Sequence, residues 1–218
     1  MRGSFSFAVN SEQSENQGPM DENTQEDQFL DLDELQFLST EGIDRCGRRI
    51  LRIVAKFVPA PVIDRSRLQD YVLYKLFTEV PQEPFCIIYF HAQAKWSENC
   101  PGIFNLRSIY EAIPQDFRQR LEAIYVVHPG AFSRMILATF GRLLSDGLYD
   151  KVKYISRLEF LWYDVRMGQV EVPEFVCKHD NLLEERPLMD YWIETDPFGT
   201  LSSSAINHCS LSEYSTVM

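Results

Sequence analysis

A chain of 218 residues, 45% hydrophobic and 13% aromatic, can bury one sizeable core and still carry polar tails. Its formal charge of −11 is unevenly spread: residues 1–44 hold eleven acids and one base, residues 45–177 eighteen bases and fourteen acids, and residues 178–218 seven acids and two bases. The centre is thus mildly basic, yet no basic run exceeds Arg48-Arg49 and no reading motif occurs, which excludes a nucleic-acid-binding module. An anionic membrane surface remains a fitting partner.

Five cysteines (Cys46, Cys86, Cys100, Cys177 and Cys209) are scattered and odd in number, with no C-x-x-C pair. That pattern argues for a reducing compartment and against a disulfide framework or a zinc site. Met1 to Asn10 has no apolar core of the kind a secretory signal needs, and apolar runs such as Phe85–Phe90 fall far short of a membrane span. The expectation is a cytoplasmic protein.

Residues 1–25 are polar and read as disordered. Glu26–Ser39 sets six large apolar residues among acids, which predicts a short amphipathic helix serving as a packing helix or a detachable lid. In Arg48–Pro59, Leu51, Ile53, Ala55 and Phe57 alternate with Arg52 and Lys56, predicting a strand with one apolar face. Asp64 or Ser66 caps a helix whose stripe is Leu68, Tyr71, Val72, Leu76 and Val80. Phe85–Phe90 reads as a parallel strand buried on both faces. A loop, a helix over Ile103–Ile113 and another helix from Pro114 lead to a second apolar strand at Leu121–His128.

After the His128-Pro129-Gly130 turn comes the most unusual stretch, a helix over Ala131–Ser145 that is apolar around much of its circumference. Phe132, Met135, Ile136, Phe140, Leu143 and Leu144 repeat at helical spacing. Such a helix suits a deep core, a partner groove or a movable wall over a lipid cavity. Lys153–Ser156 is the next strand candidate, Arg157–Val165 a short helix capped by Ser156, and Val170–Lys178, with Pro173 inside it, a docking segment. Strand and helix alternate throughout, predicting a mostly parallel sheet with right-handed crossovers.

No nucleotide-binding glycine loop, zinc-protease motif or nucleophile elbow is present. His91 and His128 end predicted strands, where α/β sheets build sites. Ser97, Cys100 and Ser133 are the nucleophiles within reach in sequence. The simpler reading is that each histidine satisfies backbone groups at a strand end. Lys151, Lys153 and Arg157 serve either solubility or docking on anionic headgroups.

Several motifs in order then resemble a known family. They are His128-Pro129, the strand Lys153-Tyr154-Ile155, the helix Ser156-Arg157-Leu158-Glu159-Phe160-Leu161, and Val172-Pro173-Glu174-Phe175-Val176. Together they resemble the divergent branch of the CRAL-TRIO family, which includes BCH domains. Gly42-Ile43-Asp44-Arg45-Cys46-Gly47-Arg48 resembles the G-x-D-x-x-G-R opening of the first strand in the ganglioside-induced differentiation-associated type. The resemblance covers about residues 40–180 and implies an α/β three-layer CRAL-TRIO-like domain, with a gating helix over a hydrophobic pocket. The domains expected are an acidic tail over 1–40 with a short amphipathic helix, the CRAL-TRIO-like domain over 41–180, and an acidic, Ser-rich tail over 181–218. Residues 1–40 are too short and polar to supply the helical lobe of the lipid-transfer members, so the acidic segment is the one available cover for the pocket.

The implied function is non-enzymatic binding of a lipid or other small hydrophobic molecule at a membrane surface, with transfer as its extension. Phe132, Met135, Ile136, Phe140, Leu143 and Leu144 would wall the pocket, and Lys151, Lys153 and Arg157 would dock on the membrane. No catalytic residue, metal or cofactor is expected. The alternative is a BCH-type interaction scaffold that binds small GTPases or their regulators.

Overall fold

Phe85–Phe90 forms strand β3, the middle strand of a five-stranded sheet in a computed structural model that describes residues 28–80, 82–144 and 147–185, the side chains of 140–144 excepted. In chain order, helix α1 (Leu30–Glu34) precedes strands β1 (Leu38–Ile43) and β2 (Arg49–Val54). Helix α2 (Arg65–Glu79) leads to β3, and α3 (Trp96–Asn99), α4 (Ile103–Ala112) and α5 (Gln115–Arg120) lead to β4 (Leu121–Val127). Then come α6 (Ala131–Leu144), β5 (Val152–Ile155), α7 (Leu158–Leu161) and α8 (Glu174–Glu185).

The sheet order is β1-β2-β3-β4-β5, antiparallel between β1 and β2 and parallel from β2 onward. Strands β2 to β5 therefore advance in one direction across the sheet. Crossovers of a single hand then place every connecting helix on the same face. On that face Leu51, Leu68, Tyr71, Leu76, Phe117 and Leu121 pack together, joined by Phe29 and Leu32 from the α1 segment. The opposite face would be bare without the C-terminal elements. Leu158, Leu161, Val165, Val170 and Val176 close it against Ile50, Val54, Ile88, Phe90, Tyr125 and Val127. The expected α/β layering and mostly parallel sheet are present.

Local signals explain several boundaries. Asp64 caps α2, its carboxylate accepting the Ser66 N–H at 3.0 Å. Pro114 immediately precedes α5. The glycine-bearing turn between β1 and β2 closes on Asp44, which accepts the N–H groups of Cys46 and Arg48, both at 2.9 Å.

Four expectations need correction. The helix expected over Glu26–Ser39 stops at Glu34, and the chain turns through Gln36 (φ +51°) into β1. Strand β2 is buried on both faces rather than one, and Arg52 is only 4% exposed because Ser39 and Glu41 on β1 meet its guanidinium at 3.0 and 2.9 Å. Helix α7 is shorter than Arg157–Val165, and Arg157, not Ser156, stands at its start. The docking segment Val170–Lys178 buries Val170 and Val176 in the core but becomes helical part-way: Pro173 immediately precedes α8, and its carbonyl accepts the N–H groups of Val176 and Cys177. A proline lacks the N–H that a helix start would leave unpaired, so it belongs there. The expectations for residues 1–25 and for the tail beyond 185 lie outside the described residues.

The acidic α1 segment docks on α2. Phe29 packs on Tyr71 and Tyr74 at 5.5 and 5.3 Å, Arg67 pairs with Asp31 at 2.7 Å, and Asp33 accepts from Tyr71 Oη at 2.7 Å. The outer edge of β1 is covered too, with Gly42 N donating to Gln169 O at 2.9 Å and Glu171 N donating to Glu41 at 2.8 Å. A Cβ on Gly42 would stand 2.7 Å from Gln169 O, so the close backbone approach requires glycine. Gly42→Ala is expected to cost about 1–3 kcal/mol of stability, read as a lower urea midpoint with an unchanged slope.

Candidate functional site

The two faces of the sheet are unequally filled. On the face covered by α7 and α8, Cys86, Ile88, Phe90, Ala123, Tyr125 and Val127 are all 2% exposed or less. On the helix-covered face, Ile87 and Tyr89 of β3, Ile124 of β4 and Val152 and Tyr154 of β5 are only half-buried, although β3 and β4 are interior strands. Their neighbours Leu51, Phe85, Leu121 and Val126 on this face are sealed, at 4%, 3%, 6% and 1%. The register lines these residues up, with Ile87 beside Ile124, Ile124 beside Val152, and Val126 beside Tyr154. Interiors normally close over such side chains at crystal-like density. The helices above leave them loosely covered. α4 has no buried side chain, with Phe104 86% exposed. Among the described side chains of α6, only Ser133 is buried. This partly accessible apolar stretch of the sheet, on the face that α6 shares, is the candidate groove.

The expected pocket-wall residues divide. Phe132 is half-buried with its ring edge-on to Trp96 at 6.0 Å, and Ile136 is half-buried. Met135 is 59% exposed. The side chains of Phe140, Leu143 and Leu144 lie outside the described residues. The expected docking cations all have intramolecular partners. Lys151 Nζ donates to Leu121 O at 2.6 Å and Arg118 O at 3.3 Å. Lys153 pairs with Asp164 at 3.0 Å and lies over the Tyr125 ring, on the face away from the groove. Arg157 donates to Leu183 O at 2.6 Å. A lipid headgroup would have to compete with each of these contacts.

The strand-end histidines form two separate pairs. His91 Nε2 meets Ser133 Oγ at 2.6 Å, and the His91 ring stacks on Tyr89 at 5.8 Å. His128, in a left-handed conformation at φ +54°, meets Asp180 Oδ1 through Nε2 at 2.7 Å. The same Asp180 oxygen accepts Leu158 N–H at 2.9 Å, and so joins β4, α7 and α8. Burial holds His128 below its ordinary pKa even though Asp180 favours the charged ring. The neutral ring then donates from Nε2, which leaves its buried Nδ1 without a hydrogen-bond partner. Ser133 and Asp180 therefore serve different histidines and do not join in one serine–histidine–aspartate relay. Cys100 is not activated either, because burial pushes its thiol pKa up. Sequence reasoning misses Asp180 because the docking segment it expects ends at Lys178, whereas α8 runs on to Glu185. Sequence reasoning places a pocket floor on alternate residues of Phe85–Phe90 and Leu121–Val127, but strand periodicity does not say which face is inward.

Residues 47–182 match the family model of the divergent CRAL/TRIO domain. The chain belongs to that family. It is 28% identical over 143 residues to the GDAP2 homolog of Drosophila melanogaster, covering 66% of this chain and 26% of that protein. Ganglioside-induced differentiation-associated protein 2 of Xenopus tropicalis is 29% identical over 150 residues, covering 69% of this chain and 30% of the relative. Rho GTPase-activating protein 1 of Homo sapiens is 28% identical over 160 residues, covering 73% and 36%. The match thus spans about a third or less of these relatives.

Within this CRAL/TRIO domain the residues of the G-x-D-x-x-G-R motif build structure. Asp44, 4% exposed, grips Arg48 Nε at 2.6 Å, and Arg48 Nη2 donates to Tyr125 Oη at 3.0 Å. Burial disfavours the Arg48 charge, but the hydrogen bond and charge of Asp44 outweigh it and raise the pKa. A polar cleft of about 280 Å³ between β1, β2 and α2 is lined by Asp33, Gln36, Ser39, Glu41, Arg52 and Lys75. Its two cations are already held, Arg52 by Glu41 and Lys75 by Asp33 and Glu79. Among the described residues no group of three or more His, Cys, Asp or Glu side chains could hold a metal ion, and no helix is long and apolar enough to cross a membrane.

The depressed His128 pKa sets a pH dependence. The unfolded chain takes up its proton near 6.5, whereas the folded chain resists until lower pH. The stability this group contributes is present above pH 6.5 and is lost as pH falls through the folded-state pKa. Asp180, His179 and Arg157 are the charged or titratable groups acting on the ring. Chemical denaturation at pH 7.5 and 5.5 should show a falling midpoint for the native chain. His128→Gln should start lower and fall less; an equal fall in both would contradict the assignment.

Proposed function

We propose that this CRAL/TRIO domain binds a lipid or other small hydrophobic molecule in the groove between α6 and the sheet, without catalysing a reaction on it. The observation that carries the reading is the half-buried floor formed by Ile87, Tyr89, Ile124, Val152 and Tyr154 beneath an apolar helix. Partition supplies the affinity. Each methylene moved out of water gains about 0.8 kcal/mol. A chain of roughly ten methylenes therefore gains about 8 kcal/mol before the cost of association is met. Met135 and Phe104, exposed on the two covering helices, give the groove an apolar rim that suits loading at a membrane surface. The four described cysteines are unpaired, as a cytoplasmic setting would keep them.

Native mass spectrometry of the protein purified from cells is expected to show a co-purifying lipid. Ile124→Trp, which fills the floor, should abolish that mass and cut uptake of a fluorescent phosphatidylcholine at least tenfold while leaving the circular dichroism spectrum unchanged. Full uptake by the variant would mean that the groove is not the site.

A second reading concerns the opposite side of the molecule. The likeness to a Rho GTPase-activating protein, together with exposed Phe160, Tyr163 and Met167 on and after α7, favours a protein-binding surface for a small GTPase or its regulator. Aromatic and methionine side chains are the types enriched in such interfaces. Deleting residues 1–44 would not test this, because the deletion removes β1 and the buried Phe29 and Leu32. Tyr163→Asp is expected to abolish binding of a purified Rho-family GTPase and leave lipid uptake unchanged; unimpaired GTPase binding would exclude this surface.

A further inference from the structure

We infer that His128 is a proton-operated latch: a second proton on its ring releases α7 and α8, so that mild acid unseals one face of the sheet while the other face stays folded.

Helix α8 buries one stripe, Val176, Asp180 and Leu183, and a carboxylate stands at its middle where an apolar side chain ordinarily sits. Two donors meet the Oδ1 of Asp180, His128 Nε2 at 2.7 Å and Leu158 N–H at 2.9 Å. Farther along, Leu183 O accepts from Arg157 Nη2 at 2.6 Å. The end of β4, the start of α7 and the middle of α8 are thus tied at one point. Away from it α8 rests on apolar contact, with Val176 in the core cluster and the Phe175 ring beside Phe57 at 5.6 Å.

The neutral ring suits this point and the charged ring does not. The His128 side chain is 1% exposed, its Nε2 is committed to Asp180, and its Nδ1 is buried without a hydrogen-bond partner. A second proton has to go to that Nδ1, making a buried N–H with no acceptor on a buried cation. The surrounding groups come from three elements. Asp180 and His179 lie on α8, the His179 ring 5.1 Å from that of His128; Arg157 stands at the start of α7; and Arg134 on α6 donates to Pro129 O. Asp180 favours the charged ring, whereas burial, His179 and Arg157 oppose it. Lifting α8 admits water to Nδ1 and removes the conflict, so acid favours the lifted state. The helix-covered face keeps its own cluster, with Leu51, Leu68, Tyr71 and Phe117, and stays folded. A ring that titrates near 6.5 when exposed and resists the proton when sealed raises the open population by at most about tenfold between pH 7.5 and 5.5.

Cys86 reports on the seal. It lies on β3 in the cluster that Val176 closes, fully buried, and burial pushes its thiol pKa up to about 12. The full chain is pulsed with dithiodipyridine between pH 7.5 and 5.5, and labelled thiols are resolved by peptide mass spectrometry. Each Cys86 rate is divided by that of the urea-unfolded chain at the same pH, and exposed Cys46 confirms that reagent is in excess. The normalised Cys86 rate is expected to rise several-fold, with its onset near pH 6.5 and a ceiling of about tenfold. Its urea dependence at pH 5.5 should be shallower than that of global unfolding, because less surface is exposed. His128→Gln, whose amide can still donate to Asp180 but does not titrate, should hold the rate within twofold. Replacing His91, His179 or His208 by Gln should leave the native response. A rise of less than twofold in the native chain, a response that persists in His128→Gln, or a urea dependence equal to that of global unfolding would each overturn the latch. Should His128→Gln fail to fold, the other three variants decide by elimination among the four histidines: loss of the response in any one overturns the latch, and retention in all three supports it.

Discussion

The direction in which the sheet grows constrains everything else in this molecule. Strands β2 to β5 follow chain order, so their crossover helices share one face. The other face must then be sealed by the elements C-terminal to β5. That sealing is complete, with Tyr125, Ile88, Phe90 and Val127 all inaccessible beneath α7 and α8. A core cluster thus holds each face of the sheet, and Ile87, Tyr89, Ile124, Val152 and Tyr154 on the side of α6 are less completely covered than either.

Buried polar groups lock the sealed side. Asp44 holds Arg48, which reaches Tyr125 on β4, while Asp180 holds His128 and the N-terminus of α7. Such pairs add little net stability, because desolvation offsets attraction, but each disfavours alternative packings that would leave a charge unmatched. Arg52 does the same at the antiparallel edge, where Ser39, Glu41 and the carbonyl of Glu171 gather around one guanidinium. Those contacts recruit β1 and the acidic N-terminal segment into the sheet and α2, which takes that segment away from the groove it was expected to cover.

On the side of α6 the described polar links join the helix to the ends of β3 and β5, through Ser133 with His91 and Tyr154 with Arg134 O. The lysines and arginine after α6 contribute to cohesion instead: Lys151 closes backbone carbonyls of the α5–β4 junction, and Arg157 ties to α8.

By itself the sequence determined the strand–helix alternation, the hydrophobic run of β3, the Asp64 cap, the His128-Pro129-Gly130 turn and the apolar character of α6, because each depends on neighbours within one or two turns of chain. The ordered motifs likewise sufficed to indicate the family. Tertiary structure alone decided which face of the sheet is sealed, since alternation is symmetric between faces until topology breaks the symmetry. It also decided that Arg52 is buried, because its neutralising groups lie on β1 and at Glu171, remote in sequence. It decided that Pro173 begins a helix and that Asp180, 52 residues from His128, becomes its partner. It separated Ser133 and His128, five residues apart, onto different partners: Ser133 on α6 meets His91 at the end of β3, whereas α8, on the other face of the sheet, brings Asp180 to His128. Long-range charge and packing settle such matters, and no local pattern in the chain encodes them.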